Sequence, residues 1–323
     1  MTVLVLGARG FVGRALVSAL RDAGEDVRAA SRRRVDQAST RTPWVTCDLE
    51  RPETLPPALE AIDCVYYLVH SMGNDAAFRE TERRCAHNLV RAAADGGCRR
   101  IVYLGGVSPG GTPSEHLASR LEVGEILRAG RVPALELRAA MIIGNGSASW
   151  QIMRDLAARL PFMLLPRWLE SKSCPIALPD VITALLDARA LPLERSAWFD
   201  IPGPEVLSVR EMLLIVGALQ GRRIPMVRVP ILTPQLSALW LKLVTRANYQ
   251  LARELVLGLT GDLLPRGAPF WEVTGHAPRR TFRDAAALAL ANDPPASSTA
   301  RWVERFVRRL GPHVTSPRAA TTI

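Results

Sequence analysis

Near its start the chain reads Gly7-Ala8-Arg9-Gly10-Phe11-Val12-Gly13, which is a Gly-x-x-Gly-x-x-Gly pattern. The pattern follows a short apolar run and opens a stretch with helical spacing of apolar residues, which is the context that a dinucleotide-binding turn requires. The three glycines would allow a sharp turn, close approach to a pyrophosphate, and tight packing of helix on strand. The turn therefore predicts a dinucleotide site formed by Gly7, Arg9, Gly10, Phe11, Val12 and Gly13.

Strand-like and helix-like segments alternate through the first 140 residues. Strands are predicted at 2–6, 26–30, 44–47, 64–69, 100–104 and 134–139, and helices at 11–23, 55–61, 76–95 and 114–128. The run 64–69 is apolar throughout, as in strands that are buried on both faces. This alternation predicts an α/β fold with a doubly wound Rossmann parallel sheet and right-handed crossovers.

The pattern becomes less regular after residue 140. Helices are predicted at 148–160, 179–188, 208–219, 233–244, 248–259 and 282–290, and a strand at 198–201. We expect an NAD(P)-binding Rossmann domain at 1–140 and a smaller, mostly helical substrate-covering region at 141–292 that is partly interleaved with the sheet. A C-terminal helix and tail are expected at 293–323.

The end of the second strand bears on the choice between the two nicotinamide cofactors. NAD-specific sites usually place a carboxylate there for the ribose 2′-hydroxyl. Here the strand ends in Ser31 and Arg32, and these residues, with Arg9, suit a 2′-phosphate. The sequence therefore favours NADP(H) over NAD(H). Asp48 and Leu49 end the third strand, where Asp48 is a candidate acceptor for the adenine amine.

Composition and cysteine spacing argue against a nucleic-acid partner and a metal site. Of 323 residues, 48% are apolar and 22% charged, as in ordinary globular chains, and the net charge is +10. Only two of the 41 basic residues are lysines, Lys172 and Lys242, so arginine usage explains most of the charge. Without a long basic run, we expect no nucleic-acid partner. Five cysteines without a Cys-x-x-Cys pair, and no secretory signal, predict a cytoplasmic protein with reduced thiols and no metal site.

The residues resemble those of a known family. The opening turn, the Asp48-Leu49 pair, the buried strand Val65–Val69 and the run Arg100-Ile-Val-Tyr-Leu104 are similar to those of atypical short-chain dehydrogenases/reductases. The runs Pro175-Ile-Ala-Leu-Pro-Asp-Val181 and Phe199-Asp-Ile-Pro-Gly-Pro204 fit later landmarks of that group. The nearest resemblance is to the NmrA-like and complex I accessory-subunit-like branches, over about residues 1–290. The resemblance implies a Rossmann fold that binds NAD(P)H.

Active members of that superfamily use a Tyr-x-x-x-Lys pair on the helix after the fifth strand. In this chain the corresponding slot reads His116-Leu-Ala-Ser-Arg120, and no Tyr-x-x-x-Lys exists elsewhere. The serine that the family places at the end of the fifth strand falls at Gly105-Gly106. The candidate catalytic residues are therefore His116, Arg120 and His70. Val69 and His70 end the fourth strand, where the fold places the nicotinamide ribose.

The segment after the sixth strand shapes the substrate pocket in this fold. Its candidate lining residues are Asn145, Ser147 and Trp150, with Ser71 after the fourth strand and Trp240 in the later helical pair. The apolar composition of 153–168 and 233–244 suits a small lipophilic substrate or a quinone. Ordinary core packing is the alternative for each of these residues.

Two functions remain open at this point. The first is an NADPH-dependent oxidoreductase that reduces a small apolar carbonyl, enone or quinone without the usual Ser-Tyr-Lys triad. The second is a non-catalytic NAD(P)H-binding redox sensor or assembly protein. We expect a monomer or a homodimer, and peripheral membrane contact through 229–259 is kept as an alternative.

Overall fold

The computed structural model describes residues 1–37, 41–70, 76–159, 163–165, 167–228 and 261–292. Ser71, Trp240, the helices predicted at 233–244 and 248–259, and the segment 293–323 lie outside these residues.

Thirteen strands occur in the described part of the chain. They are β1 Thr2–Leu6, β2 Asp26–Ser31, β3 Trp44–Thr46, β4 Cys64–Tyr67, β5 Arg100–Gly106, β6 Ala134–Ala139, β7 Ile142–Ile143, β8 Met163–Leu165, β9 Lys172–Ser173, β10 Ile176–Ala177, β11 Ala197–Asp200, β12 Leu207–Ser208 and β13 Met226–Arg228. Seven of them form one sheet in the order β11-β6-β5-β4-β1-β2-β3, and all neighbouring pairs are parallel. The predicted doubly wound parallel sheet is therefore confirmed.

Nine α-helices occur in the described part of the chain. They are α1 Phe11–Asp22, α2 Leu55–Leu59, α3 Ala76–Asp95, α4 Glu115–Arg128, α5 Ala148–Arg159, α6 Leu178–Ala190, α7 Val209–Leu219, α8 Phe270–Thr274 and α9 Phe282–Ala291. Apolar residues of α1 and α6 fill the core on one face, and those of α2, α3 and α4 fill the core on the other. Burial on both faces explains why β1 and β4 are almost entirely apolar.

A third core lies beside the sheet and joins α5, α7 and α9. Helix α7 begins with a capping box, in which the Ser208 hydroxyl accepts from the Glu211 amide and the Glu211 carboxylate accepts from the Ser208 amide. The predicted helix after residue 207 therefore forms where its capping serine indicated. Strand β11 returns from this later part of the chain to pair with β6.

Some element boundaries differ from the sequence prediction. Strand β4 ends at Tyr67 rather than at residue 69, because its neighbour β1 ends at Leu6 and turns away at Gly7. Strand β5 continues to Gly106, because β6 pairs with it as far as Ala139. Helix α8 was not predicted, since five residues are too few to show a helical period.

The order of the strands in the sheet indicates where a ligand would bind. Strand β1 pairs with β2 on one side and with β4 on the other. Ligands of open α/β sheets bind at such a switch point, beyond the carboxyl ends of the strands. The glycine turn follows β1 there, and His70 follows β4.

Candidate functional site

The glycine turn is packed too closely for other residues. Gly7 has φ +82°, and a Cβ placed on it would lie 2.5 Å from the Leu68 carbonyl oxygen. A Cβ on Gly13 would lie 2.2 Å from the Gly7 carbonyl oxygen. Both contacts are with backbone atoms, which cannot swing aside as a flexible side chain can. The first and third glycines of the motif are therefore required by the turn itself.

The turn presents the start of α1 to an anion. Gly10 is the N-cap and has no capping side chain, and the first turn of α1 contains no acidic residue. A Cβ on Gly10 would meet only the Gly7 carbonyl oxygen, at 3.1 Å, so its outer side is open. Unpaired N–H groups and the helix dipole favour a phosphate at such an end. The open cradle over Gly10 fits a dinucleotide pyrophosphate.

The neighbouring motif residues shape the same turn. Arg9 is exposed, and its carbonyl oxygen accepts a hydrogen bond of 3.2 Å from Nη1 of Arg14. The ring of Phe11 supports the turn that follows β7, because a Cβ on Gly144 would lie 2.9 Å from that ring. Val12 is half-buried against the core under the sheet. Phe11 and Val12 thus anchor the turn, and Arg9 remains open to solvent.

The end of β2 is hydroxylic and basic. Ser31 is buried, and its Oγ accepts a hydrogen bond of 3.3 Å from the Arg33 amide. The side chains of Arg32 and Arg33 are exposed, and neither forms an ion pair with a described residue. No carboxylate stands at the end of this strand. The arrangement leaves two guanidinium groups beside a serine hydroxyl, which suits an anionic 2′-substituent.

The predicted adenine side, after β3, is held by a small hydrogen-bond network. The Asp48 amide donates to Oγ1 of Thr54 at 2.9 Å, and the Asp48 carboxylate accepts from the Glu50 amide at 3.1 Å. Leu49 is buried, and its carbonyl oxygen accepts a hydrogen bond of 2.8 Å from Nδ2 of Asn88 on α3. The contact of Asp48 with an adenine amine stays a prediction.

The three candidate catalytic residues come together at the carboxyl ends of β4 and β5. Nη2 of Arg120 lies 3.2 Å from Nε2 of His70 and donates to the Leu104 carbonyl oxygen, also at 3.2 Å. The Tyr103 hydroxyl donates to the Arg120 carbonyl oxygen at 3.0 Å. Burial, the Arg120 guanidinium and His116 together hold the pKa of His70 well below its usual range.

His116 lies on the outer side of this cluster. Its ring stacks near Phe78 of α3, with centroids 6.2 Å apart and planes inclined by 19°. Burial and the Arg120 guanidinium lower the pKa of His116 to about 4. At neutral pH both histidines are therefore uncharged, and Arg120 carries the positive charge of the cluster.

The end of β5 has no space for the serine of the usual triad. A Cβ on Gly105 would lie 2.7 Å from Oε1 of Glu136, and one on Gly106 would lie 2.8 Å from Cδ1 of Leu117. Next along the chain, Val107 is buried and Ser108 is half-buried. The space beside these glycines, where the family carries a hydroxyl, is thus occupied by the side chains of Glu136 and Leu117 in this chain.

Of the predicted substrate residues that the structure describes, two are buried and one is exposed. Trp150 is fully buried in the core between α5, α7 and α9, so it lines no open pocket, contrary to the prediction. Ser147 is also buried and precedes α5, where its Oγ accepts from the Trp150 amide at 3.4 Å. Asn145 is exposed in the turn beside Phe11 and donates to the Asn292 carbonyl oxygen. Of these three residues, Asn145 is the one left accessible.

The geometry agrees with comparisons to known proteins. Residues 3–126 match the model of the NAD dependent epimerase/dehydratase family, a span that contains the glycine turn, His70, His116 and Arg120. This match covers less than half of the chain, and it supports an NAD(P)-type nucleotide site within residues 3–126. No curated protein sequence matches the chain.

Solved structures share the fold of this chain along most of its length. A nucleoside-diphosphate-sugar epimerase from Staphylococcus aureus has a TM-score of 0.70 at 14% identity, with 89% of this chain and 100% of that one covered. UDP-glucose 4-epimerase from Thermotoga maritima, solved with UDP-glucose, has a TM-score of 0.67 at 15% identity, covering 96% and 100%. A short-chain dehydrogenase/reductase superfamily protein from Agrobacterium tumefaciens with bound NAD has a TM-score of 0.61 at 19% identity, covering 96% and 99%.

Sequence reasoning missed one buried charge cluster, which joins β6 to α4. Glu136 lies in β6 with 1% of its side chain exposed, and it pairs with Arg138 at 2.9 Å and with Arg128 of α4. A Cβ on Gly124 of α4 would lie 2.6 Å from the Glu136 carboxylate, so α4 packs directly on this charge. The signal was a glutamate between Leu135 and Leu137, inside an otherwise apolar strand.

The described ranges contain neither a metal-binding cluster nor a membrane-spanning helix. No group of three or more histidine, cysteine, aspartate or glutamate side chains among them is placed to hold a metal ion. No helix among them is long and apolar enough to cross a membrane. All five cysteines are buried and free.

Proposed function

We propose that this protein is an NADP(H)-dependent oxidoreductase that reduces a small apolar acceptor, with quinones and enones preferred over simple carbonyls. The observation that carries the proposal is the pairing of a dinucleotide-binding glycine turn with a serine and arginines, rather than a carboxylate, at the end of β2. The family match supports a nucleotide cofactor and oxidoreductase-like chemistry.

The preference for NADP(H) rests on charge. A carboxylate at the end of β2 would repel a 2′-phosphate and bind the two ribose hydroxyls of NAD. Ser31 and the exposed Arg32 and Arg33 offer a hydroxyl and two cations instead. Arg9, at the same end of the sheet, would add a third cation. A planar guanidinium with several donors suits a phosphate dianion, so these residues would bind NADPH more tightly than NADH.

The preference for a quinone or enone rests on which side chains of the cluster can donate a proton at neutral pH. A bound reduced nicotinamide would supply a hydride, which converts a quinone into the hydroquinone monoanion. Reduction of a simple ketone instead forms a strongly basic alkoxide, which needs an acid nearby. His70 and His116 are neutral at pH 7 because their pKa values are lowered. Arg120 keeps its charge and would stabilise a delocalised oxyanion without giving up a proton.

The protonation states of the cluster also argue against sugar-nucleotide epimerisation, although several structural neighbours are epimerases by name. That reaction begins with removal of a proton from a sugar hydroxyl, for which the family uses its tyrosine. In this chain His116 occupies the corresponding slot, and a group with a pKa of about 4 is a weak base at neutral pH.

A second function is favoured by one observation. Neither histidine of the cluster titrates near neutrality, which is also what a cofactor sensor without turnover would show. In that case the protein would bind NADP(H) and pass its redox state to a partner through the cofactor-bound conformation. Turnover, rather than binding, distinguishes the two functions.

Turnover tests the proposal directly. Purified protein is mixed with NADPH and a panel of benzoquinones, naphthoquinones, enones and ketones, and the loss of NADPH absorbance is followed. Gly13→Ala, whose methyl group would force α1 away from the glycine turn, serves as the blank. We expect quinone-dependent NADPH oxidation that the blank lacks. NADPH binding without oxidation of NADPH by any acceptor would overturn the reductase and support the sensor.

A further inference from the structure

The contact between Arg120 and His70 fixes which ring nitrogen carries the proton. A guanidinium group has only donors, so the Nη2 of Arg120, 3.2 Å from Nε2 of His70, must direct an N–H at a lone pair. In a neutral imidazole one nitrogen is the acceptor and the other carries the proton. The ring of His70 is therefore the Nδ1–H tautomer.

The arginine is held in place independently of the histidine. Its Nη2 also donates to the Leu104 carbonyl oxygen, and its own carbonyl oxygen accepts from the Tyr103 hydroxyl. The Arg120 side chain packs beside Gly106, where a Cβ would lie in ordinary contact, 3.6 Å from Nε of Arg120. Arg120 is thus anchored to the end of β5 and reaches across to the end of β4.

The surroundings keep His70 neutral. Among the described residues, the titratable groups that face it are Arg120 and His116 from α4 and Tyr103 from β5, whose ring centroid is 6.4 Å away. Protonation of His70 would place two positive charges about 3 Å apart, which is unfavourable at any effective dielectric of a protein. Nδ1–H has no acceptor among the described residues, so this donor remains available to a ligand.

We propose that Arg120 is the positioning residue that holds His70 as a fixed Nδ1–H donor, and that this N–H binds the oxygen of the acceptor as it gains negative charge. The inference rests on the proposed function and deepens it. His70 keeps its proton throughout, because the imidazolate that would otherwise form is far too basic. One hydride converts the quinone into the hydroquinone monoanion, and one proton from water completes the hydroquinone. Loss of one such donor elsewhere costs about 10²-fold in kcat.

The tautomer can be measured without any turnover. Protein labelled with ¹⁵N is studied by long-range ¹H–¹⁵N correlation of its histidine rings between pH 5 and 8, with and without NADPH. His70→Phe assigns the signal, and the surface residues His87 and His276 serve as internal references. We expect His70 to show a protonated Nδ1 and an unprotonated Nε2 across this range. An Nε2–H tautomer, or a ring that becomes doubly protonated near pH 6.5, would overturn the proposal.

Two substitutions of the arginine separate positioning from support of the fold. Arg120→Lys keeps a cationic donor, and Arg120→Met keeps length without one. We expect the Nδ1–H signature to persist with lysine and to give way to a tautomer mixture with methionine, while the reference histidines stay unchanged. A pure Nδ1–H signature in Arg120→Met would show that something other than Arg120 sets the tautomer.

Kinetics then link the tautomer to the reaction. Arg120→Met and His70→Phe should each lower kcat for a quinone about 10²-fold and leave KM for NADPH within about threefold. Equal kcat in wild type and His70→Phe would overturn the donor role. If the wild type shows no turnover, the reductase fails while the ¹⁵N result still decides the positioning of His70, so the two failures are distinguishable.

Discussion

Arg120 of α4 and His70 after β4 are joined at 3.2 Å, although 50 residues separate them in the chain. The resemblance to short-chain dehydrogenases/reductases aligns this arginine with the lysine of that family, and the histidine follows a strand that lies next to the glycine turn. The link therefore connects the edge of the sheet at the glycine turn to helix α4. Both histidines near it are neutral because of burial and of the arginine charge.

Gly13→Ala should abolish cofactor binding. The new methyl group would lie 2.2 Å from the Gly7 carbonyl oxygen, so α1 must move away from the turn that binds the pyrophosphate. We expect the affinity for NADPH to fall at least tenfold, which is about 1.4 kcal/mol, and stability to fall by about 1–3 kcal/mol. Titration of NADPH fluorescence and thermal unfolding measure the two effects.

Gly111→Ala is the matched control for this substitution. A Cβ on Gly111 meets no atom within 4 Å, and its backbone is not left-handed. We expect affinity and stability to stay close to those of the wild type. Equal NADPH affinity in Gly13→Ala and Gly111→Ala would contradict the placement of the pyrophosphate.

Arg32→Glu should change cofactor preference. A carboxylate beside Ser31 would repel a 2′-phosphate and bind the ribose hydroxyls of NADH. We expect NADPH affinity to fall by about tenfold or more, while NADH affinity stays equal or rises. Arg21→Glu, at the exposed far end of α1, changes net charge equally and should leave the ratio of the two affinities unchanged. A parallel drop for both nucleotides in Arg32→Glu would contradict the assignment.

His116 should make stability depend on pH. Its pKa is about 4 in the folded protein against 6.5 for a free side chain, so the unfolded chain binds more protons between these values. The free energy of unfolding should therefore fall as pH decreases from 6.5 to 4, and this contribution is complete above 6.5. Urea unfolding at several pH values should show a shallower fall in His116→Gln than in wild type. His87→Gln, at an exposed position of α3, should keep the wild-type slope.

Glu136→Ala should be strongly destabilising. It leaves Arg138 and Arg128 without the carboxylate that neutralises them in a buried position. Removal of one member of a buried ion pair costs about 3–5 kcal/mol. Glu194→Ala, at an exposed loop residue, should stay within about 0.5 kcal/mol of the wild type. Similar unfolding midpoints for the two variants would show that the cluster contributes little.

The first half of the fold was predictable from the sequence because its signals are local. The glycine spacing, the apolar strands and the amphipathic helices each report on a few neighbouring residues, and helix α3 and strand β6 match their predicted bounds. Strand ends were less predictable, because they depend on where a neighbouring strand stops. The ends of β4 and β5 follow β1 and β6 in this way.

The site was predictable in part for the same reason. The cofactor turn is one continuous segment, whereas the cluster of His70, His116 and Arg120 needs the sheet order to bring two distant segments together. The pKa shifts follow from burial and from the placement of Arg120, which the sequence alone does not contain. Trp150 was misjudged because an aromatic side chain near a turn is compatible with a pocket and with a core, and only packing separates the two.

Titration calorimetry of the wild-type protein with NADPH and with NADH measures both the cofactor site and its preference. We expect NADPH binding at one site per chain, at least tenfold tighter than NADH, with the difference reduced by salt because it comes from charge. Equal affinity for the two nucleotides would contradict the assignment of Ser31, Arg32 and Arg33 to a 2′-phosphate. No binding of either nucleotide would contradict the cofactor site itself.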